Sequence, residues 1–459
     1  MNCPIALPVL LASVLAAALA TGCDGSESGS GEAPAARIAQ PTHAEYHAAG
    51  LSEFPFAPES KRIDLTAPPF TDPTGIDSPL NPIAEISSAV VLGEVDGEAL
   101  RIEITLLPET RTIEWNGELI ETSVSQFVAY REWRMKEVAL DLYAEADDGS
   151  VWYFGEEVFN YAEDGHVGDM EGAWLAGRDG PAGMITAADP QVGDVYRSEN
   201  IPGLAFEEST VTQVDATVEG PRGPLAGAYV IDEHHPEGPE IKKFAPGYGE
   251  FFTRDGRDFE KLALAVPIDA IPGSRPAELT RITTEAASIF DRNPARDWRA
   301  ATEALARMKA DWASFRDAET PRLLAGQLTD ALDALGHALG AREPTESRLA
   351  AIGLSIASVD LQLRHRPPAA IDLARLDLQA AMLVVDATAG DIAAVRSDVA
   401  NLDWIRDRIA HTLDAADLSR LDTEIVELIA ATGDRDLHSA REHAIAVREA
   451  LAEITEAPR

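Results

Sequence analysis

Histidines four residues apart share a face on a helix, and an imidazole pair so placed can hold zinc or copper. His43-Ala44-Glu45-Tyr46-His47 has that spacing, within a proline-rich stretch that gives a helix little support. Asp232-Glu233-His234-His235 is the densest titratable cluster. On a strand, neighbouring side chains point to opposite faces, so only one of His234 and His235 can serve a given site. His438, Glu442 and His443 fall near the C-terminal end, where His438 and Glu442 share a helical face but the His-Glu-x-x-His pattern is missing. His43, His47, His234 and His235 are therefore weak metal candidates, and neither a metal nor another cofactor is expected.

Carboxylates are abundant, Glu156-Glu157 and Glu207-Glu208 among them, yet spacing singles out no pair as acid and base. Asp147-Asp148-Gly149 fails as a calcium loop, because Ala144, Ala146 and Gly155 stand at the first, third and twelfth positions. No Gly-x-Ser-x-Gly elbow, phosphate-cradling Gly-Lys-Ser/Thr or dinucleotide fingerprint after a strand is present. Asp360, Asp372 and Asp377 offer an acidic ligand set. However, Arg364-His365-Arg366 closes one helix before Pro367-Pro368 and Asp372 opens the next, as macrodipoles prefer. Counting outward from the two prolines, Asp360 and Arg375 each lie seven residues away. Antiparallel helices would bring them level, so a structural ion pair within about 4 Å is expected.

The elements that position these groups change character midway. From about Glu85 to Pro267 the pattern has period two, as in Ala99–Leu106 and Val138–Ala144. Asp96-Gly97, Asn116-Gly117, Asp148-Gly149, Asp164-Gly165 and Asp255-Gly256 punctuate it with tight-turn chemistry. After Pro267–Pro276 the period becomes 3.6, in segments near 277–292, 295–316, 319–341, 345–364, 371–388, 391–411, 418–432 and 436–455. The expected fold is α+β: a mainly antiparallel β domain (curved sheet, sandwich or open barrel) over 83–267, a linker at 268–276, and an all-α helical bundle over 277–456.

Residues 1–22 read as a secretory signal, apolar and ending in small side chains. Ala20-Thr21-Gly22-Cys23 resembles the lipobox of bacterial lipoproteins, which implies acylation of Cys23 and attachment to a membrane through that lipid. Residues 23–82 read as a flexible tether and irregular lead-in. Cys3 leaves with the signal and Cys23 takes the lipid, so no disulfide, thiol nucleophile or cysteine metal site is expected.

The net charge of −40 is concentrated in residues 24–275, where 17 Lys and Arg face 47 Asp and Glu. Such a surface repels nucleic acid and anionic headgroups. Between Trp152 and Leu264 four segments resemble an uncharacterised family of exported bacterial proteins, many predicted lipoproteins. They are Trp152-Tyr153-Phe154-Gly155-Glu156, Gly172-Ala173-Trp174-Leu175-Ala176-Gly177-Arg178-Asp179-Gly180, Pro190-Gln191-Val192-Gly193-Asp194-Val195-Tyr196 and Lys243-Phe244-Ala245-Pro246-Gly247-Tyr248-Gly249-Glu250. The resemblance implies an exported, mostly-β domain and carries no catalytic residue. Trp152, Tyr153 and Trp174 read as core anchors. The expected function is a non-catalytic, membrane-tethered binding or envelope-structural protein, partnered by an envelope protein or small ligand. A carrier of a hydrophobic ligand and a carboxylate-based envelope hydrolase are the alternatives. A closed apolar pocket would favour the carrier, convergent buried carboxylates the hydrolase, and a filled core the binding module.

Overall fold

Asp96-Gly97 and Asn116-Gly117 each place two successive residues in the left-handed region, with φ of 56° and 80° in the first and 53° and 81° in the second. A two-residue hairpin needs that geometry to match the twist of its strands. The two turns join β1 (Ser88–Val95), β2 (Glu98–Trp115) and β3 (Glu118–Arg131). The next hairpin, into β4 (Arg134–Glu145), turns on Glu132 and Trp133 at φ 48° and 66°, which side chains rarely adopt. The Trp133 ring reaches the helical layer at Gly353, where an added methyl would sit 3.9 Å from it.

The computed structural model describes residues 36–236, 238–292 and 297–454. The first meander continues through β5 (Val151–Tyr161) and β6 (Val167–Asp169). Two short strands, β7 (Trp174–Leu175) and β8 (Gly183–Thr186), both pair with β5. A second meander follows: β9 (Val195–Ile201), β10 (Ala205–Glu219), β11 (Pro224–His235), β12 (Gly238–Ala245), β13 (Gly249–Asp255) and β14 (Asp258–Val266). Because β14 returns to pair with β1, the order is β6-β5-β4-β3-β2-β1-β14-β13-β12-β11-β10-β9. The sheet is antiparallel, curved and not closed, and helices follow it, as the change of period predicted.

Eight segments of period 3.6 form α2 (Ala277–Arg292), α3 (Trp298–Phe315), α4 (Arg322–Ala341), α5 (Pro344–Gln362), α6 (Pro368–Ala389), α7 (Ile392–Ile409), α8 (Ala415–Gly433) and α9 (Leu437–Glu453). Pro344 and Pro368 open α5 and α6 at positions where their missing N–H costs nothing. Both helices are buried almost all round and form the centre of the bundle. One hydrophobic cluster runs from Val90, Ala263 and Leu264 of the sheet into Leu279, Leu354 and Ile371 of the helices.

The segment between the two halves is docked to both. Asp269 is buried and accepts from the Ala265 amide, Arg222 and Tyr248. The Ile271 amide donates to the Arg364 carbonyl at 2.7 Å.

The irregular lead-in is docked too, from Ala36 onward. Arg37 bridges Thr66 and Arg62 bridges Val195. A short helix, α1 (His43–Ala48), starts at a capping box between Thr42 and Glu45. Tyr46, Phe56 and Phe206 surround the Arg197 guanidinium, with ring centroids 5.0–5.4 Å away. Cation–π attraction and the buried Arg197–Glu208 ion pair, 2.7 Å, fix this segment to β9 and β10.

Candidate functional site

Period two gives each central strand two faces, and both are used. Val90, Arg101, Glu103, Val128 and Tyr130 are buried, with Arg101, Glu103 and Tyr130 bonding into the helical layer. On the opposite, concave face, Val91, Ile102, Ile104, Phe127, Phe251 and Leu262 line a cavity of about 370 Å³. That volume lies in the range of small-molecule sites.

The rest of the cavity wall is acidic. Asp141 on β4 stands directly across from Glu156 on β5, and Glu199 on β9 directly across from Glu207 on β10. Like charges in opposed positions destabilise a sheet, and here the arrangement occurs twice around one space. Glu137, Glu250 and Glu260 complete the wall, and the carboxyls of Glu137 and Glu260 make no hydrogen bond or ion pair among the described residues. Lys242 is the sole cation among the lining residues. It is committed to Glu233 and to Glu240, the latter at 3.0 Å.

Aromatic tips reach into the acids. The Tyr153 hydroxyl donates to Asp141 at 2.9 Å, and the Trp174 indole donates to Glu199 at 2.7 Å. Tyr143 stacks on Tyr153, centroids 5.0 Å apart, and its hydroxyl makes no hydrogen bond among the described residues. Ser198 donates to Glu207 at 2.7 Å.

Burial pushes these carboxyls up from their usual range. Burial raises Asp141, against the Tyr153 hydrogen bond. Glu156 is raised by burial and by the charge of Asp141; Glu199 by burial and by Glu207. Glu260 is pushed up to about 7 by burial and by Glu250. Burial alone raises Glu137. Each of these carboxyls therefore keeps its proton to a higher pH than a solvent-exposed carboxyl does.

A second charged cluster lies between sheet and helices. Arg101 meets both Asp360 oxygens at 2.6 and 2.8 Å and also reaches Glu103 at 2.9 Å. Arg375 lies 3.1 Å from Asp360 and 3.0 Å from Asp372, while Arg408 lies 2.9 Å from Glu103. Three buried arginines face three buried carboxylates. Burial pushes Glu103 up, but Arg375, Arg408 and Arg101 outweigh it and hold the carboxyl well below its usual range. The space beside this cluster is small, about 30 Å³, and the charges neutralise one another. Its role is cohesion.

Asp360 and Arg375 therefore meet as the residue count implied, with Arg101 as a further partner of Asp360 and Glu103 of Arg375, neither of which spacing within the helical half discloses. Asp377 is turned away, bound to Arg448 at 2.7 Å, so the three aspartates are not one ligand set. His43 and His47 lie exposed on α1. His234 and His235 end β11, with His235 bordering a side opening that Glu156, Glu199 and Glu207 also line. Among the described residues no group of three His, Cys, Asp or Glu is placed to hold a metal ion. Asp147 receives the Thr71 amide of the lead-in at 2.7 Å, and Asp148 receives the Ser150 amide at 2.9 Å, a turn contact. The motif residues Trp152 and Trp174 are fully buried.

No helix among the described residues is long and apolar enough to cross a membrane. Cys23 lies outside the described residues. No family model matches the chain, and neither does any curated protein.

Proposed function

We propose that this chain is an exported, lipid-tethered binding protein that holds a small amphipathic ligand on the concave face of its sheet. The observation that carries this reading is the cavity on the concave face, apolar on one side and polar on the other. The reading modifies the expected carrier of a hydrophobic ligand, because the cavity is not a closed apolar pocket but has an acidic wall facing its apolar one. The tether rests on Ala20-Thr21-Gly22-Cys23.

A neutral, environment-sensitive dye such as N-phenyl-1-naphthylamine tests the reading. Its emission should rise and shift to the blue with the wild-type chain, and should not with Ile104→Trp, which fills the apolar side. Dye uptake that is absent in the wild type, or unchanged in a folded Ile104→Trp variant, would reject the cavity as the site.

The opposed Asp141 and Glu156 favour a second reading, an envelope hydrolase in which one carboxyl is kept protonated as acid beside an ionised partner. Turnover of a glycoside or ester panel that Asp141→Asn abolishes would select it over the carrier.

A further inference from the structure

We infer that the ligand of this cavity carries an organic cation, an ammonium or similar group attached to an apolar body. The inference rests on the binding reading above and specifies its chemistry. A neutral lipid or an anionic fatty acid would need only the apolar side that Ile102, Ile104 and Phe251 provide. Neither explains the other side.

Two features of that side call for a positive guest. First, the two opposed carboxylate pairs, Asp141 with Glu156 and Glu199 with Glu207, are unfavourable in an empty sheet and become favourable around a cation. Lys242, bound to Glu233 and Glu240, also acts on Glu207 and Glu199, but among the described residues no cation acts on Asp141 or Glu156, which is where the guest's charge is expected. Second, the Tyr143 hydroxyl lines the cavity without a hydrogen-bond partner among the described residues, and the Tyr143 and Tyr153 rings are stacked beside the acids. Aromatic faces next to carboxylates are the combination that binds alkylammonium groups. The apolar side, formed by Ile102, Ile104, Phe127 and Phe251, suits a cation that carries an apolar body rather than a bare ion. A volume of about 370 Å³ suits a head of a few carbons with a short alkyl tail.

The test compares three probes of one tail length, octyltrimethylammonium, 1-octanol and octyl sulfate, titrated calorimetrically into the mature chain below their aggregation concentrations. The ammonium probe should bind at least about tenfold tighter than octanol, and octyl sulfate weakest. In Asp141→Asn and in Glu156→Gln the ammonium preference should fall about tenfold while octanol binding persists, which also shows that the variants are folded. If octanol and octyl sulfate bind as well as the ammonium probe, the cation inference is overturned and the cavity reading stands. Ammonium binding that neither substitution weakens would place the cation elsewhere and also overturn it. If no probe binds, the cavity reading itself fails.

Discussion

Arg101 on β2 and Asp360 on α5, 259 residues apart in sequence, form a two-pronged ion pair at 2.6 and 2.8 Å. Asp360 is fully buried and serves Arg375 of α6 as well, so one carboxylate ties the sheet to both central helices. Removing one partner from a buried pair leaves an uncompensated charge, and the loss is about 3–5 kcal/mol. Asp360→Asn should therefore lower stability by about that amount in urea titrations. Adding Arg101→Met to it should cost less than the sum of the two single changes. Additive losses would show that the pair does not act as a unit.

The cavity acids give the ligand-free protein an unusual pH dependence. A carboxyl whose folded value is raised contributes stability that is complete below its unfolded value, about 4, and lost as the pH climbs through the folded value. Glu260 reaches about 7, and Glu137, Asp141, Glu156 and Glu199 are raised as well. The thermal midpoint should fall between pH 5 and 8.5, and Glu260→Gln should flatten part of that fall. Glu103, held low by three arginines, works in the opposite sense: its contribution is present above about pH 4 and disappears as acid protonates it. A midpoint that climbs steadily toward pH 8.5 would contradict the upward shift of the cavity carboxyls.

Gly155, within Trp152-Tyr153-Phe154-Gly155-Glu156, has φ of 114°, and a Cβ there would lie 2.1 Å from the Trp174 carbonyl oxygen. Gly155→Ala should cost about 2–5 kcal/mol, backbone strain and overpacking together. It should also undock β7, visible as altered near-ultraviolet dichroism from Trp174. A tolerated alanine would mean that β7 does not approach this closely in solution.

At the other end of the chain, Cys23→Ser should leave an unprocessed, unlipidated precursor, read by mass spectrometry of the N-terminal peptide. Finding the wild-type N-terminus elsewhere, with no lipid on Cys23, would remove the anchor.

What could be read in the sequence follows from the range of the interactions. The Asp360–Arg375 pair was legible because both residues flank one turn, so counting from Pro367-Pro368 sets their heights. Arg101 and Glu103 were not. In Ala99–Leu106 they occupy the polar half of an alternating strand, which normally faces water, and here that half is roofed by helices carrying the complementary charges. The same limit hid the acid wall. Glu156 and Glu157 look alike in sequence, yet Glu156 lines the cavity while Glu157 pairs outside with Arg111 at 2.9 Å. Glu207 lines it while its neighbour Glu208 holds Arg197. A strand shifted by one residue exchanges its faces, and the register that decides between the two neighbours is set by pairing across the sheet.

The strand order has a consequence for how the binding cavity comes into being. Strands β1 to β6 and β9 to β14 are two stacks of hairpins, each able to zip up between sequence neighbours, and β1 with β14 is the ladder that joins them. Local pairing is fast and the joining of distant strands is slow, so the β1–β14 seam is expected to close late. Glu137, Asp141 and Glu156 belong to the first stack; Glu199, Glu207 and Glu260 belong to the second. A half-assembled chain therefore presents one opposed pair, Asp141 with Glu156 or Glu199 with Glu207, but not the complete wall. Closure of the seam brings the two pairs around one space and adds the crowding of each against the other, which makes a cationic guest able to act as a folding aid as well as a cargo.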